Sequence, residues 1–305
     1  MENGLIKKLN QRSPIGHLDQ IEMYTGIGYQ YEFLKNLREI SRYNPHYCRL
    51  FLKQYIKILD QNHIDLIDEL YEFYVQPEIL NSKELMPHEY DVLTYTYETF
   101  QLKIQENPRL ISGHSTTGFR TWEAAIYLSN YLINKPLNGK VLELGCGTGL
   151  VSMALIKSGE IKSATITDGS LQVFNNLQAS LSLNQLNTND NIECRQFIWG
   201  QDDPIDVDYL VGADITYDTS ILQELSITIK QFLDLSTKAA YIAATVRNFD
   251  TINNWETILS DNFDWKVSDK CQQPENLNGN YTYNPGTPEI RIYEIRKRIT
   301  NHHII

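Results

Sequence analysis

The sequence predicts an α/β fold with a doubly wound, mostly parallel sheet and a separate N-terminal helical layer, on three observations. From Lys140 onward, short apolar strands alternate with segments of helical period. A glycine-rich turn, Gly145-Cys146-Gly147-Thr148-Gly149, joins one of those strands to the next helix. Up to about Asn81, apolar residues recur instead at helical spacing alone.

The N-terminal stripes come first. Phe33, Leu34, Leu37 and Ile40 begin one; Tyr47, Leu50, Phe51, Tyr55, Ile58 and Leu59 form a second; Ile64, Ile67, Leu70, Tyr71 and Tyr74 form a third. Asn44-Pro45, Asn62-His63 and Gln76-Pro77 punctuate them. These tyrosine-rich faces read as core, with partner docking as the alternative, because amphipathic helices mostly bury their apolar face internally. Phe100 to Gln105 alternates like a half-buried strand, Glu106-Asn107-Pro108 breaks it, and Trp122 to Leu132 reads as a helix.

Strands are then expected at Val141–Leu144, Ser163–Asp168, Ile192–Phe197, Tyr209–Ala213, Ala239–Thr245 and Ile290–Ile295. Helices are expected at Leu150–Lys157 and Gly169–Leu183, and around Leu222–Leu233 and Asn254–Leu259. Such βαβ alternation places helices on both faces of a parallel sheet. Asn184 to Asn191 reads as a surface loop. Residues 1–90 are assigned to a helical region and 91–305 to the doubly wound α/β domain.

Composition narrows the class. The 305 residues are 42% hydrophobic and 21% charged, ordinary for a folded chain, and the net charge is −11. That acidity argues against a general nucleic-acid binder, since phosphate neutralisation needs lysine and arginine. No run approaches the ~20 apolar residues of a membrane span. The N-terminus lacks the apolar region of a secretory signal, so a cytoplasmic protein is expected. Cys48, Cys146, Cys194 and Cys271 are scattered without zinc-site or disulfide-scaffold spacing, the seven histidines form no ligand pattern, and His302-His303 sits in a polar tail. No metal is called.

The glycine turn carries most of the functional signal. A dinucleotide fingerprint would place its third glycine where Leu150 stands, which weighs against a nicotinamide or flavin oxidoreductase. Asp168 ends the next strand, where doubly wound folds place a carboxylate that accepts from ribose hydroxyls; capping the helix that follows is the simpler alternative.

The run Glu143-Leu144-Gly145-Cys146-Gly147-Thr148-Gly149-Leu150 resembles motif I of the class I S-adenosylmethionine-dependent methyltransferases. Gly118 to Ala124 matches a G-x-x-x-W-x-A element before motif I, and Asp214 to Tyr217 a D-x-x-Y element after the fourth strand. With Trp199, these resemble the seven-strand protein-lysine methyltransferases of methyltransferase family 16, over about Ser112 to Lys297. The resemblance implies a seven-strand Rossmann-like sheet, S-adenosyl-L-methionine as cofactor and a protein lysine as acceptor. The runs Ile111 to Ala124, Ala213 to Ile221 and Ala244 to Asn248 are most similar to the branch acting on elongation factor 2, which implies that factor as partner of a monomeric enzyme.

Carried over by the resemblance, Trp122, Gly145, Cys146, Gly147, Asp168, Trp199 and Ala213 line the cofactor site. The glycine backbone passes under the methionine part, Asp168 takes the ribose, Trp199 packs near the adenine, and Trp122 lies across the methionine end. For each tryptophan a buried core role is the alternative. Glu143 orients the methionine amino group through water, and Cys146 needs no thiol chemistry. Asp214 aims the lysine and Tyr217 walls its channel with an aromatic face. A carboxylate favours the ammonium form of a lysine whose free pKa is about 10.4, so Asp214 is not read as a strong base and the proton goes to water. Ile215-Thr216 stand where amide and nucleobase N-methyltransferases carry two prolines, favouring an aliphatic amine. Tyr281 to Gly286, Arg247 and Asn248 read equally as substrate contacts or as plain loop residues. A different protein's lysine and a non-catalytic cofactor-binding scaffold remain the alternative functions.

Overall fold

The structure, a computed structural model, describes residues 4–18, 21–110, 116–186, 191–274, 283 and 286–299. Residues 111–115 before the G-x-x-x-W-x-A element, 187–190 of the asparagine-rich loop, 281, 282, 284 and 285 of the tyrosine-containing loop, and His302-His303 lie outside the described residues. The described residues form two compact units, one within 4–110 with 283 and one within 116–274 with 286–299.

In the first unit, α1 (Gly4–Asn10), α2 (Ile27–Ile40), α3 (Pro45–Gln61), α4 (Asp68–Tyr74) and α5 (Pro77–Leu80) precede two antiparallel strands, β1 (Asp91–Thr96) and β2 (Gln101–Glu106). Asn44 starts α3 by accepting the Tyr47 N–H at 3.0 Å, and Pro45 at the first helical position needs no donor. The stripes meet as a core: Phe33, Phe51 and Tyr55 are buried with ring centroids 5.1–5.5 Å apart. Tyr47 and Tyr55 are therefore core, whereas Tyr71 of the third stripe is 56% exposed. Residues 91–110, which the sequence reading set at the head of the second domain, group with these helices, and among the described residues β1 and β2 form a two-stranded sheet of their own.

The second unit follows the expected alternation: α6 (Glu123–Leu132), β3 (Lys140–Glu143), α7 (Leu150–Ser158), β4 (Ser163–Asp168), α8 (Phe174–Leu183), β5 (Ile192–Gln196), β6 (Tyr209–Ala213), α9 (Leu222–Leu235), β7 (Ala239–Thr245), α10 (Phe249–Asn262), β8 (Phe263–Cys271) and β9 (Ile290–Lys297). Among the described residues the seven strands order as β5-β4-β3-β6-β7-β9-β8, all parallel except β9, which runs antiparallel to both neighbours. β7 is buried along its whole length, as a central strand covered on both faces must be. Leu225, Ile229 and Phe232 of α9 and Trp255 of α10 fill one face with Tyr293. Strand order reverses between β3 and β6, and the carboxyl ends there define the crevice in which doubly wound sheets bind ligands.

Candidate active site

The crevice is built by loops that the strands throw off at their carboxyl ends. β3 runs into the glycine turn, where Gly145, Gly147 and Gly149 have φ of +60°, +51° and +75°, conformations that side-chain-bearing residues seldom adopt. The turn is pinned from both sides: Leu144 donates to the Val211 carbonyl and Cys146 to the Thr167 carbonyl, each at 2.8 Å. A β-carbon on Gly145 would meet Ile215 at 2.7 Å and the Trp199 ring at 3.3 Å. The result is a bare backbone cradle opening into a cavity of about 600 Å³.

All nine residues carried over from motif resemblance line that cavity: Trp122, Gly145, Cys146, Gly147, Asp168, Trp199, Ala213, Asp214 and Tyr217. Its size is that of a small-molecule site. Glu143 lines it too, fully enclosed, with the Ser152 N–H donating to Oε2 at 3.1 Å. Burial pushes the Glu143 carboxyl up to about 7, and burial likewise raises Asp168 and, far more, the Cys146 thiol, which stays protonated at neutral pH.

The structure gives Asp168 a different task from the helix cap that the sequence offered as the alternative to a ribose contact. Its Oδ1 accepts the Ser170 N–H at 2.8 Å, while Ser170 itself caps the turn at Leu171–Val173 that leads into α8 by accepting the Gln172 N–H at 3.4 Å. Its Oδ2 accepts the Gly147 N–H at 3.0 Å and so fixes the glycine turn. An ionised carboxylate offers about four acceptor positions, so capacity remains for a further donor.

Trp122 precedes α6 and is held by its indole N–H, which donates to the Thr117 carbonyl at 3.1 Å. The guanidinium groups of Arg120 and Arg247 lie over its ring, at 4.4 and 4.9 Å from the centroid. Thr121 and Thr148 share a buried hydroxyl hydrogen bond of 2.8 Å, tying this segment to the glycine turn.

Asp214 has the left-handed φ of +53°, with its N–H donating to the Ala243 carbonyl at 2.8 Å. Its Oδ1 accepts from Thr245 N at 3.0 Å and Arg247 Nη1 at 3.1 Å; its Oδ2 accepts from Thr245 Oγ1 and Arg247 Nη2, both at 3.0 Å. All four lone-pair positions are thus taken. Tyr217, three residues on, is 53% exposed at the rim. Sequence reasoning left Arg247 unassigned and did not single out Arg120, Thr148 or Glu224, the last also lining the cavity. The one signal for Arg247 was its place just past β7, the strand paired with β6.

The cradle fits a cofactor with a methionine part and a ribose: glycines leave room for close approach, and enclosed carboxylates suit a cationic amino acid and hydroxyl donors. Comparison with known proteins agrees. The family model described as lysine methyltransferase matches residues 98–258. The protein-lysine N-methyltransferase EFM3 of Saccharomyces cerevisiae is 33% identical over 282 residues, covering 80% of this chain and 83% of the yeast protein. The protein-lysine N-methyltransferase EEF2KMT of Homo sapiens is 28% identical over 249 residues, 74% of each chain. Among solved structures, the methyltransferase SMU.776 complexed with SAH shares the fold at a TM-score of 0.50 and 13% identity, over 78% of this chain and 66% of that one. This chain belongs to the lysine methyltransferase family, enzymes that take their methyl group from S-adenosylmethionine.

Proposed function

We propose that this protein-lysine N-methyltransferase acts on a lysine of elongation factor 2, in the cytoplasm and as a monomer. The observation that carries the reading is the gathering of Asp214 and Tyr217 with the glycine cradle and Asp168 around one cavity. Relatives named EEF2KMT, and the runs around Trp122, Asp214 and Arg247 that resemble the elongation-factor-2 branch, support the substrate.

In this reading the Gly145-Cys146-Gly147 backbone receives the methionine part, with Glu143 near its amino group. Asp168 takes ribose hydroxyls, Trp199 packs near the adenine, and Trp122 and Ala213 close the methionine end. The bound cofactor supplies an electrophilic methyl group on a sulfonium and leaves as a thioether. The protein's work is alignment in a water-poor cleft, where proximity and orientation lower the barrier. The lysine passes the Tyr217 ring, which attracts a cation at the rim. With its acceptor positions filled by Thr245 and Arg247, Asp214 aims the lysine through the shape of the wall it holds rather than by a hydrogen bond of its own, and the amine proton leaves to water before its lone pair forms the new bond.

The test is labelling with tritiated S-adenosylmethionine in a lysate of cells lacking the protein, with wild-type or Asp214→Ala enzyme added back. One band at the size of elongation factor 2, mapped to a lysine and absent with the variant, is expected. A different labelled band moves the substrate; no label despite measurable cofactor binding favours a non-catalytic binding module.

A further inference from the structure

The acceptor end of the cavity contains a conflict. Methyl transfer needs a neutral amine, yet a carboxylate within about 4–6 Å stabilises the ammonium by roughly 1–3 pKa units. Asp214 lines the cavity and its side chain is only 6% exposed, so its charge is little screened by water. Arg247 answers that charge with two parallel hydrogen bonds to it, the strongest geometry available to a guanidinium.

We propose that Arg247 is a positioning residue for methyl transfer: it fixes and neutralises Asp214, so that the acceptor end does not hold the incoming lysine as an ammonium. The proposal rests on the reading of this cavity as the lysine site. The pair presents a dipole rather than a free anion. Arg247 also over-determines the backbone: with Thr245 it holds Asp214 in a left-handed conformation that would otherwise relax, and this shapes the Asp214–Tyr217 wall. Its guanidinium lies over Trp122 and approaches Glu123 at 3.7 Å, joining the end of β7, the end of β6 and the start of α6.

The charged groups around the pair are Glu123 and Arg120, themselves 3.6 Å apart at the start of α6. Glu143 and Asp168 from β3 and β4, Glu224 of α9 and the Tyr217 phenol line the same cavity. Every variant below retains all of these, so differences among the variants report the Asp214–Arg247 pair.

The experiment is the single-turnover rate of methylation of elongation factor 2 at saturating S-adenosylmethionine, across roughly pH 6 to 10, the span below and around the free lysine value. Arg247→Gln is expected to move the ascending limb up by about one pH unit, a tenfold loss at neutral pH. Arg247→Lys keeps the charge and holds the limb near the wild-type position. On profiles normalised to each variant's own plateau, since Asp214 belongs to the site, Arg247→Gln combined with Asp214→Asn returns the limb to its wild-type pH, and Asp214→Asn alone moves it down. A uniform loss with Arg247→Gln at every pH, or a double variant as displaced as the single one, overturns the proposal. Should Arg247→Gln not fold, Asp214→Asn decides: an unmoved limb rejects the charge-balance role. If wild-type enzyme leaves elongation factor 2 unlabelled, the substrate reading fails by itself, and the same profiles are measured on the protein labelled in the lysate.

Discussion

A β-carbon placed on Gly118 would lie 2.9 Å from the α-carbon of Gly147. The segment leading to α6 therefore rests directly on the glycine turn, backbone against backbone, and together they wall the cavity. Neither contact can widen cheaply, because Thr121 and Thr148 are bonded a few residues away.

Alanine at Gly147 must accept a φ of +51° as well as the Gly118 backbone at 3.2 Å. The left-handed conformation alone costs about 1–2 kcal/mol. Gly147→Ala and Gly118→Ala are expected to weaken S-adenosylmethionine binding by at least about tenfold, with circular dichroism unchanged. Titration calorimetry showing wild-type affinity in both would mean that the turn can open without affecting the cofactor.

The first unit hangs on a buried ion pair. Asp91 is fully enclosed and accepts from Arg12 Nε and Nη2 at 3.0 and 2.9 Å, and from Asn44 Nδ2 at 2.7 Å. Removing one partner strands the other charge, so Arg12→Met is expected to destabilise by about 3–5 kcal/mol. Arg12→Met with Asp91→Leu is expected to recover part of that. Urea unfolding reads both, and equal loss in single and double variants would assign the cost to lost packing instead.

The sheet of the second unit was legible because its strands are apolar runs closed by turn residues, and the site because glycines announce their backbone. Other elements give weaker signals. β8 is a sheet-edge strand whose residues, apart from Phe263, are exposed or half-buried, so Asp264 to Cys271 shows no apolar alternation. β1 fails the opposite way, buried on both faces and so without alternation. α1 is seven residues long, too short for a stripe. α10 begins at Phe249, earlier than its apolar pattern, because Asn248 caps it by accepting the Asp250 N–H at 2.8 Å. The fourfold satisfaction of Asp214 was invisible for a different reason: its partners lie 31 and 33 residues away and meet it only where β6 and β7 end side by side.

Trp122 offers a separable test of the cavity wall. Its indole N–H bond to Thr117 and its face toward two guanidinium groups are distinct contributions. Trp122→Phe removes the first and keeps an aromatic face; Trp122→Ala removes both. Two cation–π contacts worth about 0.5–1 kcal/mol each predict a fall in kcat/KM of about tenfold for alanine beyond that for phenylalanine. Indistinguishable variants would show that the ring acts by volume alone.

Glu143 gives the pH dependence. Burial lifts its carboxyl from 4.5 to about 7 in the folded protein, so the folded state holds its proton more tightly than the unfolded chain. A raised carboxyl pKa means that stability falls as pH rises through the interval from 4.5 to about 7, and stays lowered above it. The full difference is on the order of 3 kcal/mol. Glu143→Gln keeps an oxygen to accept the Ser152 N–H and carries no charge at any pH. Relative to wild type without cofactor, the variant is therefore expected to gain stability between pH 5 and about 8 as the wild-type carboxylate ionises. Parallel melting temperatures across that range would show that the buried carboxyl titrates as it does in the unfolded chain. If S-adenosylmethionine binds as proposed, with its amino group near Glu143, that cation offsets the buried charge and the gain is expected to shrink in the same scan.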